Sequence, residues 1–496
     1  MKLNAMTFVS MVPATLLAGC SVGPDYVRPA VETPAAYKEA GNWKPAQPKD
    51  DVSRGRWWEV FNDPLLNRLQ EQVDISNQNL ANAEAQFRQA LALLQSTRAG
   101  SFPSVTGGVS TTRSRASATT IAQPSATPVS RGVVTNYNLP FQASWAPDVW
   151  GNIRRAVEAN VAGAQASAAD LAAARLSAQA ALAQSYFQLR ALDAQQLLLE
   201  DTVAAYGVSF KLVQNQYAAG VVAKADLVQA QTQIKTTQAQ AIDIGAQRAP
   251  LEHAIALLVG KPPSELSIPR QPLEAAVPPA PVGLPSELLE RRPDIAAAER
   301  RMAQANAQIG VAKAAYFPVF TLSASAGYQS ATMADWLTAP SRFWSFGPAI
   351  AQTLFDGGLR RAQSAQALAA YDASVAAYRQ TVLTGFQQVE DSLAVLRILE
   401  QEAEVQGEAV KLAEQALALA LNQYKAGTVN YLNVVLAQAT ALANQRAAVD
   451  ILSRRVGASV QLVTALGGGW TPSHEELGGR KGSRSDRDAH GAATGQ

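Results

Sequence analysis

Two stretches of this chain, residues 151–249 and 349–471, contain no proline at all. A helix interior rejects proline by about 3 kcal/mol, and both stretches are dominated by Ala, Gln and Leu, which are strong helix formers. They also echo each other. Asn215-Gln216-Tyr217-Ala218-Ala219-Gly220 returns as Asn422-Gln423-Tyr424-Lys425-Ala426-Gly427, and Gly151-Asn152-Ile153-Arg154-Arg155 returns as Gly357-Gly358-Leu359-Arg360-Arg361. Phe102-Pro103-Ser104-Val105 has its counterpart in Phe317-Pro318-Val319-Phe320. Such self-similarity marks a duplicated structural unit. Gly220 and Gly427 stand where each helix must stop, the usual place of a left-handed glycine cap. At a helical rise of roughly 1.5 Å per residue, residues 151–217 span about 100 Å, residues 223–259, 430–466 and 64–99 about 55 Å, and residues 286–316 about 45 Å. Two short helices end to end match a long one. The lengths therefore predict long helices flanked by stacked pairs of shorter ones, with Ala allowing close approach.

Between the helices the period changes from helical to two. In residues 133–145 the odd positions are Val133, Thr135, Tyr137, Leu139, Phe141, Ala143 and Trp145, while the even ones include Asn136, Asn138, Gln142 and Ser144. Phe320, Leu322, Ala324, Ala326 and Tyr328 alternate in the same way with Thr321, Ser323 and Ser325, and Trp344, Phe346, Ile350 and Leu354 continue the pattern. One apolar face fits either a soluble sheet on its core or a barrel wall between lipid and water. Strand lengths of about 11 residues and aromatic residues near the strand ends favour the barrel. Four strands cannot enclose a lumen, since even about 8 leave little interior space, so a barrel here needs several chains.

Composition excludes most other readings. The 496 residues carry a net charge of only +2, which gives no electrostatic case for nucleic acid. Hydrophobic content of 48% with 17% charged residues is not that of a disordered chain. With one cysteine and three histidines, no disulfide framework is possible and little remains for a metal site. His253 lies on an expected helix and His474 and His490 in the tail, all incidental. Gly467-Gly468-Gly469 opens no helix and has no following Lys-Ser/Thr, so it is no phosphate cradle. Asp148 and Asp356, each just before a long helix, suit capping. Arg292-Pro293-Asp294 suits a helix start. No cofactor is expected and no enzyme.

The N-terminus reads as an export signal: Lys2 supplies charge, Met6 to Leu17 the apolar region, and Leu17-Ala18-Gly19-Cys20 resembles the bacterial lipobox. Cys20 is then the lipidation site, and Ser21, in place of an aspartate, directs the chain to the outer membrane. The expected organisation is a signal peptide 1–19 and a lipidated wrapping segment 20–60. A first repeat, 61–260, holds a helix, strands 102–113 and 133–147, and helices 151–217 and 223–259. After a proline-rich linker 261–285, a second repeat, 286–470, holds a helix, strands 317–329 and 343–355, and helices 357–424 and 430–466. A tail, 471–496, rich in Gly, Ser and charge, is expected to be disordered.

Several motifs together resemble the signature of outer-membrane efflux channel proteins. They are Leu288-Leu289-Glu290-Arg291-Arg292-Pro293-Asp294-Ile295 with Ala298-Glu299 and Phe317-Pro318, then Leu354-Phe355-Asp356-Gly357-Gly358, then Ala465-Leu466-Gly467-Gly468-Gly469-Trp470. With Cys20, the resemblance is to the TolC-like lipoprotein branch that serves resistance-nodulation-division pumps. It implies a mixed α and β membrane protein: a homotrimer with a 12-strand outer-membrane β-barrel, four strands per chain, continued by a long α-helical periplasmic barrel. It also implies a periplasmic gate at the two helix turns, where a tyrosine and an arginine of the second turn bond to an aspartate of the first and acids narrow the pore. Asp226 and Tyr424 match that aspartate and tyrosine. Val429 stands at the arginine, and Asn433 and Leu436 stand at the acids, so the gate is expected to rest on an Asp226–Tyr424 link and on packing.

The expected function is a passive exit duct for drugs and other small molecules, partnered by a periplasmic adaptor, an inner-membrane pump and outer-membrane lipid. A protein-secretion duct of the same fold and a non-channel coiled adaptor lipoprotein are the competing readings. Pump genes beside the gene, or channel conductance, would separate them.

Overall fold

The computed structural model describes residues 22–30, 33–34, 36–40, 55–115, 132–273 and 291–470. The signal peptide, Cys20, the tail and most of the wrapping segment lie outside the described residues, as do parts of the linker and of the loop between the first two expected strands. Two helices, α1 (Pro64–Ser76) and α2 (Gln78–Ala99), precede strands β1 (Ser104–Gly107), β2 (Ser110–Ser114) and β3 (Val134–Trp145). A long helix α3 (Asn152–Ala218) and its return α4 (Lys224–Leu258) follow. The order then repeats with α5 (Pro293–Ala314), β4 (Val319–Ser330), β5 (Arg342–Ala351), α6 (Leu359–Lys425) and α7 (Tyr431–Ala465). No helix among the described residues is long and apolar enough to cross a membrane.

The chain forms two compact units, and each draws on both halves of the sequence. The first holds the described residues up to Pro29 and those within Arg88–Ala164 and Glu299–Ala376; the second holds the described residues within Ala30–Phe87 and Gln165–Ala298 and those from Ala377 onward.

In the first unit the strands make one antiparallel sheet in the order β1, β3, β4, β5, with β2 also on β3. The registers put Val105, Ala143, Ala324 and Phe346 in one row across the sheet, and Gly107, Phe141, Ala326 and Trp344 in the next. On the other face, Thr106, Gln142, Ser325 and Ser345 share a row, as do Ser110, Asn138 and Gln329. Trp344 is 80% exposed and Phe346 68%. Alternation has thus produced an apolar face that this chain leaves bare.

Prolines account for where the strands depart from expectation. Residues 102–113 are not one strand. The ladder breaks at Gly108 and Val109, opposite Pro140, which has no N–H to give. Gly327 faces Pro140 from the other side, where an added Cβ would come within 2.1 Å of the Leu139 carbonyl oxygen. The last strand ends at Ala351 and not at 355, because the next partner on β4 would be Pro318. Leu354 and Phe355 therefore lie beyond the sheet, both exposed.

Asp148 and Asp356 cap the long helices. The Asp148 carboxylate accepts from the backbone N–H groups of Ile153 and Arg154 at 3.0 and 2.7 Å. Asp356 accepts from Gly358 N–H at 3.0 Å and pairs with Arg360, contacts that hold its carboxyl below the usual range.

In the second unit the main core gathers Trp57, Trp58, Phe61, Leu66, Val73, Leu182, Tyr186, Phe187, Ile255 and Val460. Asp63 caps α1 through Leu65 and Leu66 N–H and also accepts the Tyr186 hydroxyl at 2.6 Å. The linker after α4 is strapped down by buried charge: Arg190 and Arg248 both pair with Asp193, Arg190 donates to the Pro269 carbonyl, and Arg248 to that of Ile268. Residues 38–40 lie on α6, where Lys38 and Glu39 N–H groups donate to Glu390.

The expected single helix over 64–99 is two helices, broken at Asn77. Asn77 serves both sides of the break. Its Oδ1 accepts from Asn79 and Leu80 N–H, starting α2, while its Nδ2 donates to the Leu258 carbonyl at the end of α4. Gly260, at φ +68°, closes this joint, and a Cβ there would fall 2.2 Å from the Ser76 carbonyl oxygen. The second half builds the same joint from other residues. Arg292 Nη1 donates to the Ala465 carbonyl at 3.1 Å before α5 begins, and Gly467, at φ +95°, has room for no Cβ against the Arg291 carbonyl. At each joint a side chain of one short helix satisfies an orphan carbonyl at the end of the other. Gly260→Ala and Gly467→Ala are each expected to cost at least about 1–3 kcal/mol from backbone strain alone. Thermal unfolding followed by circular dichroism checks this; two unshifted melting curves would refute the joint.

Candidate functional site

The two helix turns of the second unit are built alike. After α3, the Ala219, Gly220 and Val221 N–H groups donate to the carbonyls of Asn215, Tyr217 and Gln216; after α6, those of Ala426, Gly427 and Thr428 donate to Asn422, Tyr424 and Gln423. Gly220 and Gly427 sit at φ +76° and +73°, so both turns are glycine-capped helix ends of the Schellman type. This is why the glycine of the repeated motif recurs at the same place. The α7 side has a side-chain cap, with Asn430 accepting from Asn433 N–H, whereas Ala223 before α4 has none to offer. Asp226 lies in the first turn of α4, where a negative charge suits the helix dipole.

A small core ties the turns together. Val213, Ala230, Tyr424, Tyr431 and Val434 are buried, with Val222, Leu227, Leu421 and Val429 packed against them. The rings of Tyr424 and Tyr431 meet edge to face at 5.3 Å. Tyr431 is buried and its hydroxyl is pushed up to about 12, chiefly by burial and further by Tyr424, Tyr206 and the Asp226 charge. Tyr424 is raised by burial and then by Asp226.

The residues named from the sequence fall into three groups here. Tyr424 and Val429 are in this core, and Val429 fills apolar space. Asp226 is half-buried beside it and acts on both tyrosines through its charge. Asn433 and Leu436 are exposed and outside it. The expected Asp226–Tyr424 hydrogen bond is not made. The Tyr424 hydroxyl donates instead to Gln216 Oε1 at 2.6 Å, because Gln216 occupies the last turn of α3 while Asp226 begins the next helix. Sequence reasoning missed Gln216 and Tyr431. Gln216 was visible in the repeated motif, but only as a marker of the duplication; Tyr431 was signalled only by following the Asn430 cap.

Among the described residues, no group of three or more His, Cys, Asp or Glu side chains could hold a metal ion. The buried charges are spent on structure. Arg292, beside a cavity of about 520 Å³ lined also by Ser177, Gln388, Asp391 and Thr464, is engaged by Asp294, Gln388 and the Ala465 carbonyl.

An antiparallel sheet with a bare apolar face, joined to paired long helices with matching turns, is the arrangement of a channel protein of the outer membrane. Residues 69–261 and 284–468 match the outer membrane efflux protein family, and the chain belongs to it. It is 30% identical to outer membrane protein OprJ of Pseudomonas aeruginosa, covering 95% of this chain and 97% of that one. It is also 30% identical to the pyoverdine export outer membrane protein OpmQ of the same species, over 95% and 99%. Among solved structures, the outer-membrane channel OprN superposes with a TM-score of 0.84 at 32% identity, over 91% of this chain and all of that one. The open state of the Neisseria gonorrhoeae MtrE outer membrane channel superposes at 0.78 with 26% identity, over 91% and 98%. The chain is an outer-membrane component of an efflux system.

Proposed function

We propose that this protein is the passive exit duct of a tripartite efflux pump, working as a homotrimer whose three sheets close into one 12-strand barrel. The observation that carries this is the sheet itself. Among the described residues, β5 on one side, and β1 with β2 on the other, pair with only one neighbour, so both edges present unmet N–H and C=O groups beside an apolar face. In hydrocarbon such an edge is untenable, and closure on further copies removes it. β1 and β2 lie one after the other along β3 and count as one interrupted strand, so each copy is four strands wide. Three copies supply twelve, enough for a lumen where about 8 would be filled by side chains. A soluble sandwich would instead require a second layer over Trp344 and Phe346, and none is present among the described residues.

The two sequence repeats, with one stretch of the family match in each, would each supply two strands and the helices below them. The helix turns would form the periplasmic gate, opened when a periplasmic adaptor and an inner-membrane resistance-nodulation-division pump dock. The duct catalyses nothing, holds no cofactor, and leaves the choice of drugs and other small molecules to the pump. Purified protein in planar bilayers is expected to give discrete single-channel steps, and a deletion strain to become more sensitive to exported drugs. A deletion strain that loses only a secreted protein would favour the secretion duct.

Cys20 is the proposed lipid attachment site. Labelled palmitate should enter the wild-type protein and not Cys20→Ser; equal labelling of both would defeat this assignment. A protein anchored by its barrel should keep part of its efflux without the lipid.

A further inference from the structure

The first described residues of the chain, 22–26, are held in a cradle far more specific than a tether requires. The Val22 N–H donates to the Trp150 carbonyl, at the junction where β3 gives way to α3. Arg155, almost fully buried, donates through Nε to the Val22 carbonyl and through Nη2 to the Gly23 carbonyl and to Asp25, while its Nη1 holds Glu158. Asn306 Nδ2 donates to the Pro24 carbonyl at 3.1 Å, and the Tyr26 hydroxyl donates to Glu299 at 2.8 Å.

Two glycines make the fit possible. Gly23 sits at φ +110°, and a Cβ on it would fall 2.6 Å from the Cα of Gly310 on α5. A Cβ on Gly310 would in turn meet the Arg155 side chain at 2.8 Å. The seat lies beside an aromatic cluster: Trp150 stacks on Phe317 at 4.8 Å, lies 6.5 Å from Phe320, and donates through Nε1 to the Pro318 carbonyl at the foot of β4. Aromatic residues at strand ends mark the level where a barrel wall meets the membrane surface.

We propose that this cradle is a docking site for the protein's own mature N-terminus, with Arg155 and the Gly23–Gly310 contact as its lock, and that it fixes the acyl anchor at the aromatic edge of the sheet. The inference rests on the proposed lipidation of Cys20 only for what the cradle positions. Cys20 precedes Val22 by two residues, so the chain allows at most about 7 Å between them. The anchor is then a short leash on a folded surface, and seating it depends on α3 and α5 having come together.

Chymotrypsin offers a direct test, since cutting after Tyr26 needs the cradle to open and releases the N-terminal peptide. Cleavage tracks the population of the open form when reclosing is fast. Full-length protein in detergent is expected to resist this cut, and Arg155→Gln, which leaves the backbone notch intact, to be cut about tenfold or more faster. Gly23→Ala should be cut at least as fast. Asp25→Ala should differ little from wild type, because an ion pair to an exposed carboxylate holds weakly. A non-acylated form, made with an ordinary cleavable signal and Cys20→Ser, should resist as well as wild type. Rapid cutting of wild type, or no effect of Arg155→Gln, would overturn the proposal. So would loss of resistance in the non-acylated form, which would make the lipid the holding element. Failure of palmitate to label Cys20 would remove the anchor and leave the cleavage results unchanged.

Discussion

Phe141→Arg is expected to cost roughly 2–4 kcal/mol and to block insertion, while Asn138→Arg, three residues away, is expected to fold and to change conductance. The two positions lie on opposite faces of β3. Phe141 shares its row with Gly107, Ala326 and Trp344, and its ring lies 3.1 Å from where a Cβ on Gly107 would stand, so its partners across the sheet bring no polar side chain to a guanidinium. Asn138 shares its row with Ser110 and Gln329 on the polar face, where a charge would stand in water. In the proposed barrel the cost at Phe141 is that of placing an arginine in hydrocarbon, and it is greatest at the membrane midplane. Urea titration of protein folded into vesicles measures the first variant, and single-channel recording the second. Equal behaviour of the two would mean that the apolar face is not turned to lipid.

How much of this was legible in the sequence depends on the range of the interaction. The long helices read directly, because the absence of proline and the Gly220 and Gly427 caps are local properties. Strand faces read equally well, since alternation needs no partner. What did not read was anything set by a partner strand or helix. The break opposite Pro140 needs the register of β2 and β3, and the end of β5 needs Pro318 across the ladder. Asn77 looks like an ordinary polar helix residue until the end of α4 is placed against it, when its amide donates to the Leu258 carbonyl. The joint at Arg292 shows the limit of motif reading. Arg292-Pro293-Asp294 announced a helix start correctly, but gave no sign that the arginine also closes the end of α7, more than a hundred residues later. The turns follow the same rule: their caps were readable, and the partner of Tyr424 was not.

That partner alters what the proposed gate should do under mutation. Tyr424→Phe and Gln216→Ala each remove the same hydrogen bond, and a net contribution of about 0.5–1.5 kcal/mol makes each a shift of roughly two- to tenfold toward an open tip. The double variant should exceed either single only slightly, as expected for two ends of one interaction. Asp226→Ala should do less than either, because its carboxylate reaches the tyrosines through charge and not through a bond. Tyr431→Ala should do most. It empties a fully buried ring position against Tyr424 in this core, and aromatic truncations of that kind cost about 3–5 kcal/mol. Alkali should act on the same core. Burial raises the folded pKa of Tyr431 above the ordinary tyrosine value of 10.0, so its packing is intact below pH 10 and is lost as pH climbs through about 12. Conductance in bilayers should therefore rise in the order Asp226→Ala, Tyr424→Phe, Tyr431→Ala, and wild-type conductance should rise over that alkaline window. Cells carrying Tyr431→Ala should become sensitive to vancomycin, which is too large for a closed tip. If Tyr431→Ala assembles normally and conducts like wild type, the constriction lies elsewhere, and the exposed Leu436 is then the side chain to change next.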